Sequence, residues 1–172
     1  VLKNLIIKNN STSGGGGGIS IENSNLSTIS NSTISNNTAT GNGGGIYIKG
    51  GNVNISNSTI SNNSASNSGG GIWIEDGSEL IISDAIIHDN SALVGDGGGI
   101  GIYGISHHNV AIQKSLFYNN NSGMQGGNIY ISSDPNSSLD NELLINNSTI
   151  ASDLSEDSGY GIFIGWHSNL TI

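Results

Sequence analysis

The apolar positions of this chain fall into three columns, each returning once every 26 to 33 residues. One column is Ile19, Ile46, Ile72, Ile100, Ile129 and Ile162; a second is Ile7, Ile34, Ile60, Ile87, Phe117 and Ile150. The third is Leu2, Ile29, Ile55, Ile82, Ile112, Ile145 and Ile172. Within a repeat the period is two. Ile46-Tyr47-Ile48 and Val53-Asn54-Ile55 alternate apolar with other residues, as a strand with one buried face does. Helix is disfavoured, because β-branched and turn-forming residues dominate and no 3.6-residue stripe survives the glycines. Three short strands joined by tight polar turns describe one coil of a parallel β-helix. A coil cannot bury its isoleucines alone; stacked at ~4.8 Å, successive coils enclose a continuous apolar column. The pattern predicts an all-β, right-handed, single-stranded parallel β-helix of six coils, one domain over residues 1–172. The hand follows from the preference of parallel crossover connections.

The polar positions repeat as faithfully. Asn10, Asn37, Asn63, Asn90 and Asn120 lie three residues after the second apolar column, with Asp153 next in the series. An Asn stacked on itself at each corner can bond both its neighbours' amides and the turn backbone. Glycine runs, Gly43 to Gly45, Gly69 to Gly71 and Gly97 to Gly99, precede the first column. They permit positive φ and close approach of one coil to the next. Asn128 and Tyr160 depart from that glycine pattern.

Composition changes this picture in four respects. With 34% hydrophobic residues and nearly half the chain Gly, Ser or Asn, disorder would be the default expectation. The 27 isoleucines, placed in columns, supply a narrow core instead. A formal charge of -9, with four Lys and no Arg, argues against nucleic acid and anionic membranes as partners. The lack of Cys excludes disulfides, thiolate metal sites and Cys catalysis, and no apolar run approaches the roughly 18 residues of a membrane helix. The chain opens on VLKNLIIKNN and closes on NLTI, both inside repeat units, and reads as an excerpt of a longer repeat protein.

The unit I/F-x-x-N followed by GG-x-I resembles the paired FxxN and GGA(I/L/V) repeats of chlamydial-type polymorphic outer-membrane proteins. Phe117-Tyr118-Asn119-Asn120 matches it strictly; Ile34 to Asn37 with Gly44-Gly45-Ile46, and Ile60 to Asn63 with Gly70-Gly71-Ile72, match in relaxed form. The coils are also similar to the Asn/Ser/Thr-rich repeats of adhesin-like surface proteins of methanogenic archaea. The resemblance covers essentially the whole chain and implies a right-handed β-helix. It further implies export, display on a cell surface and adhesion. The partners implied are other copies or flanking domains of the same surface protein, and host or cell-surface glycans and proteins.

The residue between the paired isoleucines points away from the core and reads Ser20, Tyr47, Trp73, Gly101, Tyr130, Phe163. Four of nine aromatics thus share one column, expected to be exposed. Tyr47, Trp73, Tyr130 and Phe163 are the candidates for a partner surface or a glycan. Stabilisation of neighbouring coils by aromatic pairs is the competing reading. Lyase chemistry needs a strong base, but Lys3, Lys8, Lys49 and Lys114 lie in different columns, with no acidic cluster expected around them. Glycosidases need two opposed carboxylates, and Asp84 and Asp89 fall on opposite sides of Ile87. Glu75, Asp76 and Glu79 read as a solvated turn. No catalytic residue and no cofactor is assigned. His107-His108 and His88 lack a third ligand and read as surface histidines, so no metal is assigned. GDGGGIGIYG fits neither a calcium nonapeptide nor a phosphate loop. Thr33/Ser35 and Thr59/Ser61 suggest an ice-binding row, which Ile86/His88 and Leu116/Tyr118 interrupt.

Thirteen N-x-S/T sequons occur, and Asn31, Asn36, Asn54, Asn57, Asn62, Asn147 and Asn169 are glycosylation candidates. A chain this rich in Asn and Ser also makes sequons by chance. One turn lengthens along the chain from KGGN through YGISHHN to SSDPNSSLDNE, placing an insertion at Ser132 to Glu142 near Tyr130. The expected function is a non-catalytic structural or adhesive segment of an extracellular cell-surface protein: a stalk, passenger, or wall or filament component. The alternative is a polysaccharide-binding or polysaccharide-degrading β-helix module, with ice binding as a more distant reading.

Overall fold

A computed structural model describes residues 1–151 and 161–172. The described residues form 24 short strands in four parallel sheets, and the chain visits the sheets in turn. Coil three shows the plan: β9 (Asn52–Ser56), β10 (Thr59–Ser61), β11 (Ser64–Ala65) and β12 (Ile72–Glu75) lie in the first to fourth sheets respectively. Five coils stack in this way, a sixth is described through β21 (Asn141–Asn146), β22 (Thr149–Ile150) and β23 (Ile162–Ile164), and β24 (Ser168–Thr171) opens a seventh in the first sheet.

The three apolar columns are the three registers. Ile60 pairs with Ile34 and Ile87 in the second sheet, and Ile72 pairs with Ile46 and Ile100 in the fourth. Ile55 pairs with Ile29 and Ile82 in the first sheet. Each such Ile is essentially inaccessible to solvent and is worth about 2 kcal/mol in buried side-chain area. Alternation decides which residues these are: in β9 the pattern puts Val53 and Ile55 inside and leaves Asn52 and Asn54 half-covered.

The strand in the third sheet is the addition that apolar periodicity does not announce. It is two residues long, and its inward column is Ala39, Ala65, Ala92 and Ser122. Small side chains fill this part of the cross-section. Ser122 breaks the alanine column: it is 1% exposed, and its Oγ has no hydrogen-bond partner among the described residues. A buried hydroxyl without a partner costs free energy that a methyl group does not. Ser122→Ala is therefore expected to stabilise the chain by about 1 kcal/mol, read as a raised urea midpoint. A lowered midpoint would show that the hydroxyl is already satisfied.

The corner between the second and third sheets carries the asparagines. Asn37 Nδ2 and its backbone N–H both donate to Asn63 Oδ1, each at 3.0 Å. Asn63 repeats this toward Asn90 at 3.0 Å and 3.0 Å, and Asn90 toward Asn120 at 3.1 and 2.9 Å. Each Nδ2 also donates backwards, Asn63 to Ile34 O at 3.0 Å and Asn90 to Ile60 O at 2.9 Å. Asn10 joins at one end through Asn37 Oδ1, at 2.9 Å. At the other, Asn128, the residue that replaces a glycine, accepts from Asn120 at 2.8 Å and donates to Ala151 O. Asp153 lies outside the described residues.

Corners also explain the turn residues. Asn31, Asn57, Asp84, Lys114 and Asn147 take left-handed φ of 47 to 51° before the second sheet. Asn36, Asn62, Asp89 and Asn119 do so after it, with φ of 54 to 55°. Asn and Asp are the non-glycine residues that tolerate this conformation best.

Candidate functional site

The outer face of the fourth sheet carries the candidate aromatics, and register builds it. Ser20, Tyr47, Trp73, Gly101, Tyr130 and Phe163 are paired neighbours across six coils. Beside them, two residues on, Glu22, Lys49 and Glu75 form a second outward row. Alternation aims both rows away from the isoleucine core, so side chains 26 residues apart in sequence become neighbours.

Glu75 is the hub. Its Oε1 accepts from the Tyr47 hydroxyl and lies 3.4 Å from Lys49 Nζ; its Oε2 accepts from Trp73 Nε1 at 2.9 Å. Lys49 Nζ also lies 3.4 Å from Asp76 Oδ2. Burial would raise the Glu75 carboxyl, but the Tyr47 and Trp73 bonds and the Lys49 ammonium outweigh it and hold the group below its ordinary value. Burial, and then the bond to Glu75, push the Tyr47 hydroxyl upward. Lys49 is raised by its bonds to Asp76 and Glu75. The expectation that no acidic group surrounds the lysines, and that Glu75 and Asp76 are merely solvated, is thus corrected at Lys49. Parallel register brings residue 49 beside residue 75, a proximity that sequence spacing conceals.

The expected exposure of the aromatic column is corrected as well. Trp73 is 6% and Tyr130 9% exposed, while Tyr47 and Phe163 are half-buried. Gly101 is the cause at the centre: a Cβ there would lie 2.5 Å from Trp73 Cε3, so the indole occupies the space a side chain would fill. The glycine turns close over the column from one side, with Gly69 against Trp73 Cβ and Gly15 against the Tyr47 ring. Tyr130 stacks on Phe163 with ring centres 5.4 Å apart and planes 6° from parallel. The column acts as a second, outer strip of packing. Gly101→Val should evict the Trp73 ring, with a red shift of indole emission and a loss of about 2 kcal/mol. Unchanged emission in that variant would mean the ring does not need the slot.

The chemistry open to this face is limited. Glu75 has both oxygens occupied and Lys49 is paired. Asp96, raised by burial and lowered by the Gln125 amide, is a lone carboxyl holding two turns together through the Gln125 N–H at 3.0 Å. Among the described residues no group of three His, Asp or Glu could hold a metal ion.

The histidines divide. His88 stacks on Tyr118 at 4.7 Å and pairs with Asp89 on the outside of the second sheet. His107 is exposed and its Nδ1 meets Asp140 O. His108 corrects the reading of both as surface groups: it is wholly buried, and Nδ1 accepts from the Ser78 N–H at 3.2 Å. Its column, Gly51, Ser78, His108, Asn141, changes residue type at every coil, so no repeat in the sequence marks it. The long insertion is braced on the preceding coil, with Asp134 N–H donating to Gly104 O and Ser137 Oγ to Ile105 O, both at 3.1 Å.

The sequons acquire a structural meaning. Asn31, Asn57 and Asn147 are exposed left-handed corners, and the next residue in each is a ladder serine. Ser32 Oγ accepts from the Leu5 N–H and donates to Ser30 O; Ser58 Oγ accepts from the Ser32 N–H and donates to Ser56 O. Ser115 and Ser148 continue the scheme. Asn36 and Asn62 are exposed corners preceding the ladder residues Asn37 and Asn63. Asn54 and Asn169 sit on outward strand positions of the first sheet. The serine row was missed in the sequence, although the repeated Asn-Ser-Thr was its signal.

Parallel coils, four sheets and two side-chain ladders along the axis define a β-solenoid. The chain belongs to the right-handed β-helix region family, whose model matches residues 3–172. No curated protein and no solved structure matches it.

Proposed function

We propose that the chain is a non-catalytic structural and adhesive segment of an extracellular cell-surface protein, serving as stalk, passenger, or wall or filament component. One observation carries this reading: its repeated polar side chains are spent on the next coil. The amide row from Asn10 to Asn128 bonds along the axis, and Glu75 is closed by Tyr47, Lys49 and Trp73. Such a chain is built to be stiff. Six coils span about 29 Å at ~4.8 Å per coil, and charged residues are only 10% of the chain. Resemblance to polymorphic outer-membrane and adhesin-like repeats adds the surface location, and exposed sequons such as Asn36 and Asn62 fit a glycosylated exterior. Flanking domains or further copies of the same protein are its partners in this reading.

The test has two arms. Antibodies against the chain should label intact source cells and lose their target when the cells are shaved with external protease; labelling only after permeabilisation overturns the location. Incubation with a panel of polysaccharides should release no new reducing or unsaturated ends, and turnover abolished in Glu75→Gln would overturn the non-catalytic reading. A polysaccharide-binding role is favoured by a different pair of aromatics, Tyr103 at 37% and Trp166 at 65% exposure. It would show as quenching of indole emission by polysaccharide, lost in Trp166→Ala.

A further inference from the structure

Three of the four histidines gather at one corner, where the fourth sheet turns into the first in coils four to six. His108 lies in the middle of that corner's own polar column. Gly51 N–H donates to Ser78 Oγ at 3.2 Å, Ser78 N–H to His108 Nδ1 at 3.2 Å, and His108 N–H to Asn141 Oδ1 at 3.0 Å. Because Nδ1 accepts, the neutral ring carries its proton on Nε2. Nε2 is buried and has no partner among the described residues. A second proton would have to sit on Nδ1, turning the Ser78 contact into two donors face to face around a buried cation. That loss would fall on two turns of this corner at once. His108 closes the loop after β16 (Ile100–Gly104), and Asn141 closes the insertion after β20 (Ile129–Ser133).

We propose that this corner is an acid-sensitive latch: protonation of His108 breaks its bond to Ser78 and frees the segments 104–109 and 133–141, while the amide ladder at the second-to-third corner keeps the coils stacked. Freed segments would present Ile105 and Leu139, already 65% and 48% exposed, on a loosened surface. The surrounding charges are mixed. Glu75, Asp76 and Glu79 come from the preceding coil, Asp134, Asp140 and Glu142 from the following one, with His107 beside the ring and His167 paired to Asp140 at 3.4 Å. Burial dominates, aided by His107, and outweighs the pull of Asp76 and Glu75, so the ring is pushed down to about 4. An unfolded histidine takes its proton near 6.5. The latch is therefore fully stable above pH 6.5 and weakens as the pH falls toward 4.

Hydrogen exchange on the whole chain tests it, with protection corrected for intrinsic rates. Peptides covering 104–109 and 133–141 should lose protection at least tenfold between pH 6.5 and 4, while peptides covering 55–65 hold theirs. His108→Asn, which can reproduce the acceptor in the manner of Asn141, should abolish that loss. No loss in the wild type, loss spread evenly along the rod, or equal loss in the variant would each overturn the latch. Should the variant fail to fold, NMR titration of the wild-type imidazole decides: a midpoint near 4 with loss of the Ser78 amide signal supports the latch, and one above 6 sinks it.

Discussion

Gly70→Ala is expected to remove the cooperative urea transition, or to cost about 4 kcal/mol or more where a transition survives. Gly70 has no unusual φ, so the residue is not there for conformational freedom. It is there because a Cβ would sit 2.4 Å from the Ser91 carbonyl carbon and 2.5 Å from Gly98 O, both backbone atoms of the next coil. Rigid backbone cannot yield as a side chain end can, so the coils must separate and the hydrogen bonds from Gly70 N to Gly97 O and Gly71 N to Gly98 O lengthen. Gly44 meets Ser64 and Gly70 O in the same way, at 2.4 Å. Gly14 is the control: a Cβ there meets only Thr12 Oγ1, at 3.8 Å, and Gly14→Ala should be close to neutral. Denaturation followed by circular dichroism checks both, and a Gly70→Ala midpoint within about 0.5 M urea of wild type would mean the coils can part cheaply.

The second large effect is expected at Asn63. Asn63→Ala strips the acceptor from Asn37 N–H and Nδ2 and the donor from Ile34 O, in a place where Asn37 and Ile34 are fully buried. Three groups lose partners without gaining water, at about 1–3 kcal/mol for each left wholly unmade, so a loss of about 4 kcal/mol follows. Asn10→Ala should cost about 1 kcal/mol, since Asn10 is exposed and water replaces its bonds. Equal midpoints for the two variants in urea titrations would refute the buried-ladder account.

Most of the fold was legible because inward positions obey a rule that is the same in every coil. Ile34, Ile60 and Ile87 must each fill the same volume, and Asn37, Asn63 and Asn90 must each reach the same two neighbours. A position under identical constraint repeats, and repetition is visible in sequence. The alanine strand escaped notice because two residues with small side chains give no alternation to read. The outer surface was harder for a different reason. Whether Trp73 is exposed depends on the residue one coil on, Gly101, which no repeat fixes, and on a glycine turn folding over it, whose recurrence does not announce what it covers. His108 was misread for the same cause, since Ser78, His108 and Asn141 solve one hydrogen-bonding problem with three different chemistries. The asparagines of the sequons were visible as candidates for modification, but their left-handed φ, which selects Asn irrespective of any glycan, is a property of geometry alone.

The amide row has one further consequence. From Asn10 to Asn120 the side-chain-to-side-chain bonds all run one way, each Nδ2 donating to the next residue's Oδ1, while the backward bonds of Asn37, Asn63, Asn90 and Asn120 go to backbone carbonyls. The side-chain amide dipoles therefore add head to tail, and each bond polarises the next, an effect of about 10–30% per bond. Repetition makes the coils look interchangeable, yet the row gives the rod a sense of direction, like an arrow drawn along its axis, which anything joining it end to end must match.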